Sequence, residues 1–425
     1  MHVLLVAQYF WPEQIGCCVW IHQLATDLAR KGHRVTMLTA FPNYPEGKVF
    51  EGYQGRFFQR ETVGGVEVIR TYIHATPDKS FWAKALCFGS FCVSSRLGGA
   101  FCSRPDVIFC VMPPLPLGQS ALWIGWMKRA PVVLSIQDIY PDLAIRLGYL
   151  RNRLAVRFFQ RMERSIYRRA ASVRVIADSF RDNLMQKGVP REKIHVIPNW
   201  VDTSSVQPGP KRNAFRQEQA RNGEFLIVYS GGMGHNTCLA EVVEAARLLQ
   251  GERFRFLLIG DGVYRSALEA RAREYGLSNV QFLPFQPMEK YTEVLAASDL
   301  QLVALNESAA QMSLPSKALN IMASGRPVLA LALPESDLAR LVVEANCGAV
   351  TPPSHPAALA EAIRRLAENP AELEAMGRNA RNFLLANFER EHCIARIESV
   401  LAGAMRTTGG TAVSDRFPAI REDLS

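Results

Sequence analysis

A lysine stands at the predicted start of a helix late in the chain. Residues Pro315–Val328 read PSKALNIMASGRPV, which predicts a short helix that ends at Gly325 and is followed at once by a strand. The first N–H groups of a helix lack partners, and the N-terminus carries partial positive charge. A phosphate beside Lys317 would be held by that charge and by the ammonium group. The alternative is a solvated lysine, but a cation in a first helical turn opposes the dipole, which favours a phosphate site.

A second candidate is the glycine-rich turn Ser230-Gly231-Gly232-Met233-Gly234, which follows the strand predicted at Phe225–Tyr229. Three glycines in four positions leave room for a diphosphate or a sugar against bare backbone. The spacing does not fit the dinucleotide-binding pattern GxGxxG. A plain turn between a strand and a helix is an equal alternative.

The loops after the first two predicted strands contain further candidates. Gly16 lies in the first of these loops, where a glycine lets backbone N–H groups approach a ligand closely. Asn43 and Tyr44 end the second strand, and they could line an acceptor pocket because aromatic rings stack on sugars. For all three residues an ordinary structured turn is the alternative.

Two aspartates follow the apolar strand predicted at Val132–Ile136. Carboxylates at the carboxyl end of such a strand face the ligand crevice of a doubly wound domain. Asp138 could orient or deprotonate an acceptor hydroxyl. A helix N-cap fits Asp142 well, and the same structural explanation is open for Asp138.

Strands and helices are predicted to alternate along the chain and to position these residues. In both halves, short apolar runs typical of buried strands are followed by segments in which apolar residues recur at helical spacing. This pattern predicts an α/β protein with two doubly wound, Rossmann-like domains and ligands in the cleft between them. The predicted divisions are a first domain at 1–203, a second domain at 204–389, a last helix at 390–405 and a disordered tail at 406–425. The segment Asp202–Asn213, rich in Ser, Pro and Gly, is the predicted linker.

Composition limits the class of partner. The 425 residues carry a formal net charge of +9, which favours an anionic partner such as a phosphorylated substrate or a membrane surface. No nucleic-acid-binding motif occurs, so nucleic acid is not expected as a partner. Nine cysteines without a CxxC pair predict free thiols in a reducing cytoplasm. No run of apolar residues is long enough to predict a membrane-spanning helix, and Met1–Ala7 reads as a first strand rather than a signal peptide.

Several short motifs occur between about Met1 and Arg396. They are Tyr9-Phe10-x-Pro12-Glu13, Gly32-His33-Arg34-Val35-Thr36, Phe41-Pro42-Asn43-Tyr44-Pro45-x-Gly47, Gln137-Asp138-Ile139-Tyr140-Pro141-Asp142, Ile197-Pro198-Asn199-Trp200-Val201-Asp202, Tyr229-Ser230-Gly231-x-Met233-Gly234 and Pro315-Ser316-Lys317 through Gly325-Arg326-Pro327-Val328. With the motifs in this order and spacing, the chain resembles the family 4 retaining glycosyltransferases of the GT-B fold. It is similar to the branch of colanic-acid and O-antigen fucosyl or N-acetylfucosaminyl transferases.

The resemblance implies transfer of a sugar from a UDP- or GDP-linked donor, with retention at the anomeric carbon and no metal or other cofactor. The absence of any Asp-x-Asp motif agrees with metal independence. The donor side would comprise Gly16, the glycine turn 231–234, Ser316, Lys317 and Asn320. The acceptor side would comprise Asn43, Tyr44 and Asp142, with Asp138 as the catalytic candidate. The resemblance also implies that the domain at 1–203 binds the acceptor and that the domain at 204–389 binds the nucleotide sugar.

The sequence also departs from the family pattern. Many members carry two glutamates beside the donor sugar, and these positions are Met312 and Asn320 here. Cys17 replaces the second glycine of the first loop, and Gly232 stands where the branch usually has Asn. These changes indicate either a different donor sugar or weakened activity, and a different donor is favoured because Lys317 and its surrounding motif are intact. For the function as a whole, the alternatives are a nucleotide-sugar epimerase or hydrolase on the same fold and a non-catalytic partner subunit.

Two segments of the first half combine aromatic and basic residues. Ser80–Arg104 contains seven large apolar residues with Lys84, Arg96 and Arg104, and Arg151–Arg169 is a strongly basic predicted helix. Such surfaces suit anionic lipid, which predicts a peripheral protein on the inner face of the cell membrane with a lipid-linked saccharide as acceptor. A buried helix and a solvated basic face are the respective alternatives.

Overall fold

The computed structural model describes residues 1–13, 16–78, 80–146, 148–221, 223–307 and 315–408. The chain divides into two compact units. One comprises Met1–Pro198 together with the chain from Ile394 onward, and the other comprises Asn199–Cys393.

The first unit is built on a sheet of eight strands in the described part of the chain, in the spatial order β3-β4-β2-β1-β5-β6-β7-β8. All neighbours are parallel except the β3–β4 hairpin, which turns at two glycines with positive φ, Gly64 and Gly65. The central strands are continuously buried, as their unbroken apolar runs predict. The strands are β1 (His2–Val6), β2 (Arg34–Ala40), β3 (Phe58–Val63), β4 (Val66–Thr71), β5 (Val107–Met112), β6 (Val132–Ile136), β7 (Ser172–Val175) and β8 (Ile194–Val196).

Helices connect these strands and cover the sheet. Ser80 caps the second helix by accepting a hydrogen bond from the Ala83 N–H, and Asn152 caps the fifth in the same way. The helices are α1 (Gly16–Arg30), α2 (Phe81–Phe101), α3 (Leu115–Lys128), α4 (Asp142–Arg146), α5 (Arg153–Arg169) and α6 (Asp178–Gln186).

The second unit repeats the design around a wholly parallel sheet of six strands among the described residues, in the order β11-β10-β9-β12-β13-β14. Its strands are β9 (Phe225–Ser230), β10 (Phe254–Ile259), β11 (Val280–Leu283), β12 (Leu300–Ala304), β13 (Val328–Leu331) and β14 (Gly348–Thr351). Its helices are α7 (Ala214–Gln219), α8 (Leu239–Leu248), α9 (Arg265–Glu274), α10 (Met288–Ala297), α11 (Ser316–Ala323), α12 (Asp337–Glu344), α13 (Pro356–Ala367) and α14 (Pro370–Asn387); α15 (Arg390–Thr408) follows.

Each sheet has one point at which the strand order reverses direction. In the first unit it lies between β1 and β5, and in the second between β9 and β12. Loops from such neighbouring strands run to opposite faces of the sheet and leave a crevice at the carboxyl ends, where ligands of doubly wound folds bind. The candidate residues after β1, β9 and β12 therefore lie at the two positions that the topology favours.

The predicted α/β class with two Rossmann-like sheets is confirmed. Strands β3 and β14 were not separately predicted, because β3 is largely exposed and β14 begins at a glycine and is only partly buried. Helix α15 includes Arg406–Thr408, which the prediction assigned to a tail, while 409–425 lie outside the described residues. None of the described helices combines the length and the hydropathy needed to cross a bilayer.

Candidate functional site

Lys317 is the centre of the site in the second unit. It is the second residue of α11, and its ammonium group reaches back toward the end of β9, across the point where the strand order reverses. Its Nζ donates a hydrogen bond of 2.9 Å to the hydroxyl of Tyr229 and lies 4.1 Å from the centre of that ring. The Tyr229 hydroxyl in turn donates to the Gly232 carbonyl at 2.6 Å. The tyrosine thus links the lysine to the glycine turn.

The first glycine of the turn makes this approach possible. Gly231 has φ of +155°, and a Cβ at this position would lie 2.4 Å from the Lys317 Nζ. Any side chain would therefore push the ammonium group away from the turn and strain the backbone. Gly232 and Gly234 have open space where a Cβ would lie, so their backbone is accessible from outside.

A second glycine turn, Gly260-Asp261-Gly262 after β10, holds the first one in place. The Met233 N–H donates to the Asp261 carbonyl at 2.8 Å, and the Met233 carbonyl accepts from the Tyr264 N–H at 3.0 Å. A Cβ on Gly260 would lie 2.0 Å from the Gly231 carbonyl oxygen, so the two turns are in direct backbone contact. This second turn was not among the candidates from the sequence, although its pair of glycines after a predicted strand was an available signal.

The electrostatics of the site leave one cation without an anion. Burial lowers the pKa of Lys317 to about 8. Among the described residues, no carboxylate lies within ion-pair distance of its ammonium group, and the aromatic ring is its nearest source of negative potential. A partly buried ammonium without a counter-ion is unfavourable, so this position is suited to an anionic ligand.

The other predicted donor-side residues surround this lysine to different degrees. Ser316 is exposed, and the N-cap of α11, Pro315, offers no side-chain hydrogen bond, so the first N–H groups of the helix are not capped from within. Asn320, one turn along, donates to the Tyr291 hydroxyl at 3.3 Å. Met312 lies outside the described residues.

In the first unit, a buried glutamate organises the loops beside β1. Glu13 is only 2% exposed and accepts hydrogen bonds from the backbone N–H groups of Phe10, Asn43 and Tyr44. It therefore ties the loop after β1 to the loop after β2. Its burial raises its pKa, and the three N–H donors oppose that shift. Glu13 is part of a sequence motif, but no role for it was predicted from the sequence.

That glutamate fixes the two predicted acceptor-side residues of the second loop. Asn43 is buried, and its side-chain amide donates to the Phe41 carbonyl at 2.9 Å. Tyr44 is 43% exposed and packs edge-to-face on Tyr9, with ring centroids 5.9 Å apart. The asparagine thus supports the loop, while the tyrosine presents an aromatic ring to solvent. Gly16 is the first residue of α1 and follows positions 14 and 15, which lie outside the described residues.

The two aspartates after β6 differ in their surroundings. Asp138 is half-buried, and burial raises its pKa to about 6. Asp142 begins α4 and forms a 2.9 Å ion pair with Lys187, and it also accepts from the Asn183 amide. These contacts favour the structural explanation for Asp142, whereas Asp138 retains the properties of a group that exchanges a proton near neutral pH.

The described residues contain no group of three or more His, Cys, Asp or Glu side chains arranged to hold a metal ion. The residues brought together at the reversal point in the second unit are instead one ammonium group, a tyrosine and accessible glycine backbone. This combination suits a phosphorylated ligand.

Comparison with known proteins agrees with this chemistry. The model of a glycosyl transferase 4-like domain matches residues 16–200, and the model named glycosyl transferases group 1 matches residues 210–383. The glycosyl transferase WcaI of Escherichia coli (strain K12), a protein named for colanic acid biosynthesis, is 30% identical over 349 residues, which cover 80% of this chain and 86% of that protein. The chain belongs to the family 4 glycosyltransferases.

Solved structures show that the fold of this glycosyltransferase is GT-B, as predicted. Sucrose-phosphate synthase from Thermosynechococcus elongatus superimposes with a TM-score of 0.71 at 20% identity, covering 96% of this chain and 99% of that one. HepE of Anabaena, solved with UDP-glucose, superimposes with a TM-score of 0.67 at 17% identity, covering 95% and 100%. At these identities the likeness concerns the fold.

Proposed function

We propose that this glycosyltransferase moves a sugar from a UDP- or GDP-linked donor to a lipid-linked saccharide acceptor during surface polysaccharide biosynthesis. Transfer takes place at the inner face of the cell membrane, needs no metal ion and retains the anomeric configuration. The observation that carries the proposal is the half-buried Lys317 ammonium, which faces the backbone of the Gly231–Gly234 turn without a carboxylate partner among the described residues.

The donor side is assigned from the charge that develops during transfer. As the bond between the anomeric carbon and the diphosphate oxygen breaks, negative charge accumulates on the departing nucleoside diphosphate. Three groups would stabilise this charge: the Lys317 ammonium, the backbone N–H groups at the start of α11, where Pro315 supplies no side-chain cap, and the open backbone at Gly232 and Gly234. Preorganised groups of this kind contribute several kcal/mol, on the order of 10²–10³ in rate for each strong donor.

The acceptor side is assigned to the first unit. Asp138 would accept a hydrogen bond from the attacking hydroxyl, and its raised pKa suits a group that takes up and releases a proton near pH 6. The exposed ring of Tyr44, held by Glu13, would stack on a sugar of the acceptor. The hydroxyl would attack from the face that the diphosphate leaves, which gives retention.

The relatives support the choice of substrates. HepE was solved with UDP-glucose, and WcaI is named for colanic acid biosynthesis. The net charge of +9 also suits a phosphorylated donor and an acceptor at an anionic surface.

A donor panel tests the proposal. Purified protein is incubated with UDP- and GDP-linked sugars and a lipid-linked saccharide extract, with and without EDTA, and products are identified by mass spectrometry. We expect one donor to extend the acceptor by one sugar at an unchanged rate in EDTA. Isomerised or hydrolysed donor without transfer would contradict the proposed sugar transfer. Inhibition by EDTA that Mg²⁺ or Mn²⁺ reverses would contradict the proposed metal independence.

A further inference from the structure

Three neighbouring helices of the first unit share one unusual surface. Helix α3 packs against both α2 and α5, so the outer faces of the three helices are adjacent. The Arg96 guanidinium donates to the Ser120 hydroxyl at 3.2 Å, and Lys128 donates to the Ala100 carbonyl at 2.7 Å. These bonds fix α2 and α3 side by side along much of their length.

The outer face of α2 is apolar. Leu86, Val93, Leu97 and Phe101 fall within about 80° of each other around the helix. All four are more than half exposed, and Phe101 is 67% exposed. Both interpretations of this aromatic segment, a buried helix and a surface for lipid, therefore apply to part of α2. Phe91 is fully buried, while Leu86, Val93, Leu97 and Phe101 face solvent.

Helix α3 contributes two exposed tryptophans. Trp123 and Trp126 are exposed by 36% and 53%. Ile124, between them, lies so close to α2 that a Cβ on Gly99 would be 2.6 Å from its side chain. The tryptophans therefore stand on a helix that packs directly against α2, and their side chains leave α3 about 100° and 160° around the helix from that contact. Neither tryptophan was a candidate from the sequence.

Helix α5 adds a basic stripe. Arg153, Arg157, Arg161, Arg164 and Arg168 fall within about 80° of each other, and all are exposed. Among the described residues, none of the five forms an ion pair with a carboxylate. Like charges at this spacing repel each other, so an anionic partner would stabilise the helix. Leu154 and Phe158 are exposed along the edge of this stripe, by 75% and 58%.

The three helices contain a single carboxylate, Glu163, which is buried and paired with Lys187. The chain has 40 acidic residues, so their near absence from these helices sets this surface apart. Exposed leucine, phenylalanine and tryptophan beside unpaired arginines match the interfacial zone of an anionic bilayer, where aromatic rings lie at headgroup level and cations meet lipid phosphates.

We infer that the α2–α3–α5 surface is the membrane-docking face of this protein and that it inserts its apolar stripe into an anionic lipid bilayer. The inference rests on the proposed function, because it supplies the surface through which the enzyme would reach a lipid-linked acceptor. The arginines of α5 hold phosphate headgroups, while Leu97, Phe101 and Trp126 reach the boundary with the acyl chains.

Binding of the full chain to vesicles tests the surface. Partition is measured by flotation with phosphatidylcholine vesicles containing 30% phosphatidylglycerol, and with phosphatidylcholine alone, at low and high salt. We expect R157E/R161E to lower partition to the anionic vesicles by about tenfold or more, because each arginine near the surface contributes about fivefold in binding. The matched control, R273E/R378E on exposed helix positions of the second unit, should partition within about twofold of the wild type.

Tryptophan fluorescence tests insertion separately from charge. Brominated lipids should quench the wild-type emission, and W123F/W126F should bind vesicles almost as well but lose most of that quenching. Equal partition of R157E/R161E and its control, or binding without quenching, would overturn the inference. A third outcome would also overturn it: the protein binds no vesicles but self-associates as its concentration rises, and W123S/W126S abolishes that self-association. The surface would then be an interface between two copies of the chain.

Transfer to a water-soluble acceptor analogue, measured in the same variants, separates this inference from the proposed function. Loss of vesicle binding with retained soluble transfer in R157E/R161E supports the docking face. A wild type that transfers sugar but binds no vesicles overturns the docking face and the proposed membrane location, and it leaves the transfer reaction standing. Vesicle binding without transfer from any donor supports the docking face and overturns the transfer reaction.

Discussion

The Lys317 ammonium lies 2.9 Å from the hydroxyl of Tyr229 and 4.1 Å from the centre of its ring. The two residues are 88 positions apart, and they meet because β9 and β12 are neighbours at the point where the strand order of the second sheet reverses. The tyrosine fixes the position of the lysine through its hydroxyl and offsets the charge through its ring. The lysine is thereby preorganised for an anion instead of extending into solvent.

Tyr229→Phe tests this relationship, since it keeps the ring and removes the hydroxyl that bridges Lys317 and Gly232. We expect donor affinity to fall by about three- to tenfold, equivalent to about 1 kcal/mol for one hydrogen bond. Isothermal titration calorimetry with the active nucleotide sugar provides the measurement. Tyr275→Phe, which removes a hydroxyl bonded to Glu244, is the matched control and should bind donor normally. Unchanged affinity in Tyr229→Phe would remove the positioning role.

Lys317→Met should stabilise the free protein while it weakens donor binding. The pKa of Lys317 is lowered from 10.5 to about 8, so burying its charge has a cost, up to about 3 kcal/mol. That cost is fully present below pH 8, where folded and unfolded states are both protonated, and it disappears as the pH rises to about 10.5. Urea unfolding at pH 7 should therefore show a stabilised variant, and the difference should shrink at pH 10. A variant less stable than wild type at pH 7 would contradict the charge assignment.

The pH dependence of transfer should have two limbs. Asp138 is needed as the carboxylate and has a pKa of about 6, so kcat/KM falls as the pH drops below that value. Lys317 is needed as the ammonium and has a pKa of about 8, so kcat/KM falls as the pH rises above that value. Initial rates at low donor concentration report these free-enzyme groups. Asp138→Asn should lower activity and abolish the acid limb; an acid limb that persists in this variant would exclude Asp138 as its source.

Gly231→Ala should destabilise the second unit, while Gly232→Ala should not. The added methyl group would lie 2.4 Å from the Lys317 Nζ at the first position, where φ is +155°, and would meet nothing within 4 Å at the second. Strain of this kind costs about 1–3 kcal/mol. Thermal unfolding of the two variants measures the difference, and equal melting temperatures would show that the turn accommodates a side chain at Gly231.

The sequence predicts the repeated α/β design well because buried parallel strands are short, continuous apolar runs, and these are visible without tertiary information. It also predicts that Lys317 lies at a helix start near a glycine turn, since both signals are local. The Tyr229 contact and the interlocked turn at Gly260 were missed, because they depend on which strands become neighbours.

Other residues also show that local sequence patterns do not predict long-range contacts or solvent exposure. Glu13 collects three N–H groups from two loops, and only the folded chain brings those loops together. Asp142 was a candidate because it follows a predicted apolar strand. That local pattern does not reveal its ion pair with Lys187, which is 45 positions further along the chain. Trp123 and Trp126 are part of an apolar run that gives no indication of which side faces solvent, so their exposure appears only in the structure.

The most direct test of the central claim is the rate of sugar transfer by Lys317→Ala at pH 7 with saturating donor. If this ammonium group stabilises the departing diphosphate, kcat should fall by about 10²–10³ while the variant remains folded by circular dichroism. Arg378→Ala, an exposed position on α14, serves as the matched control and should retain full activity. A kcat for Lys317→Ala within about twofold of wild type would contradict the assignment of this site to the donor diphosphate.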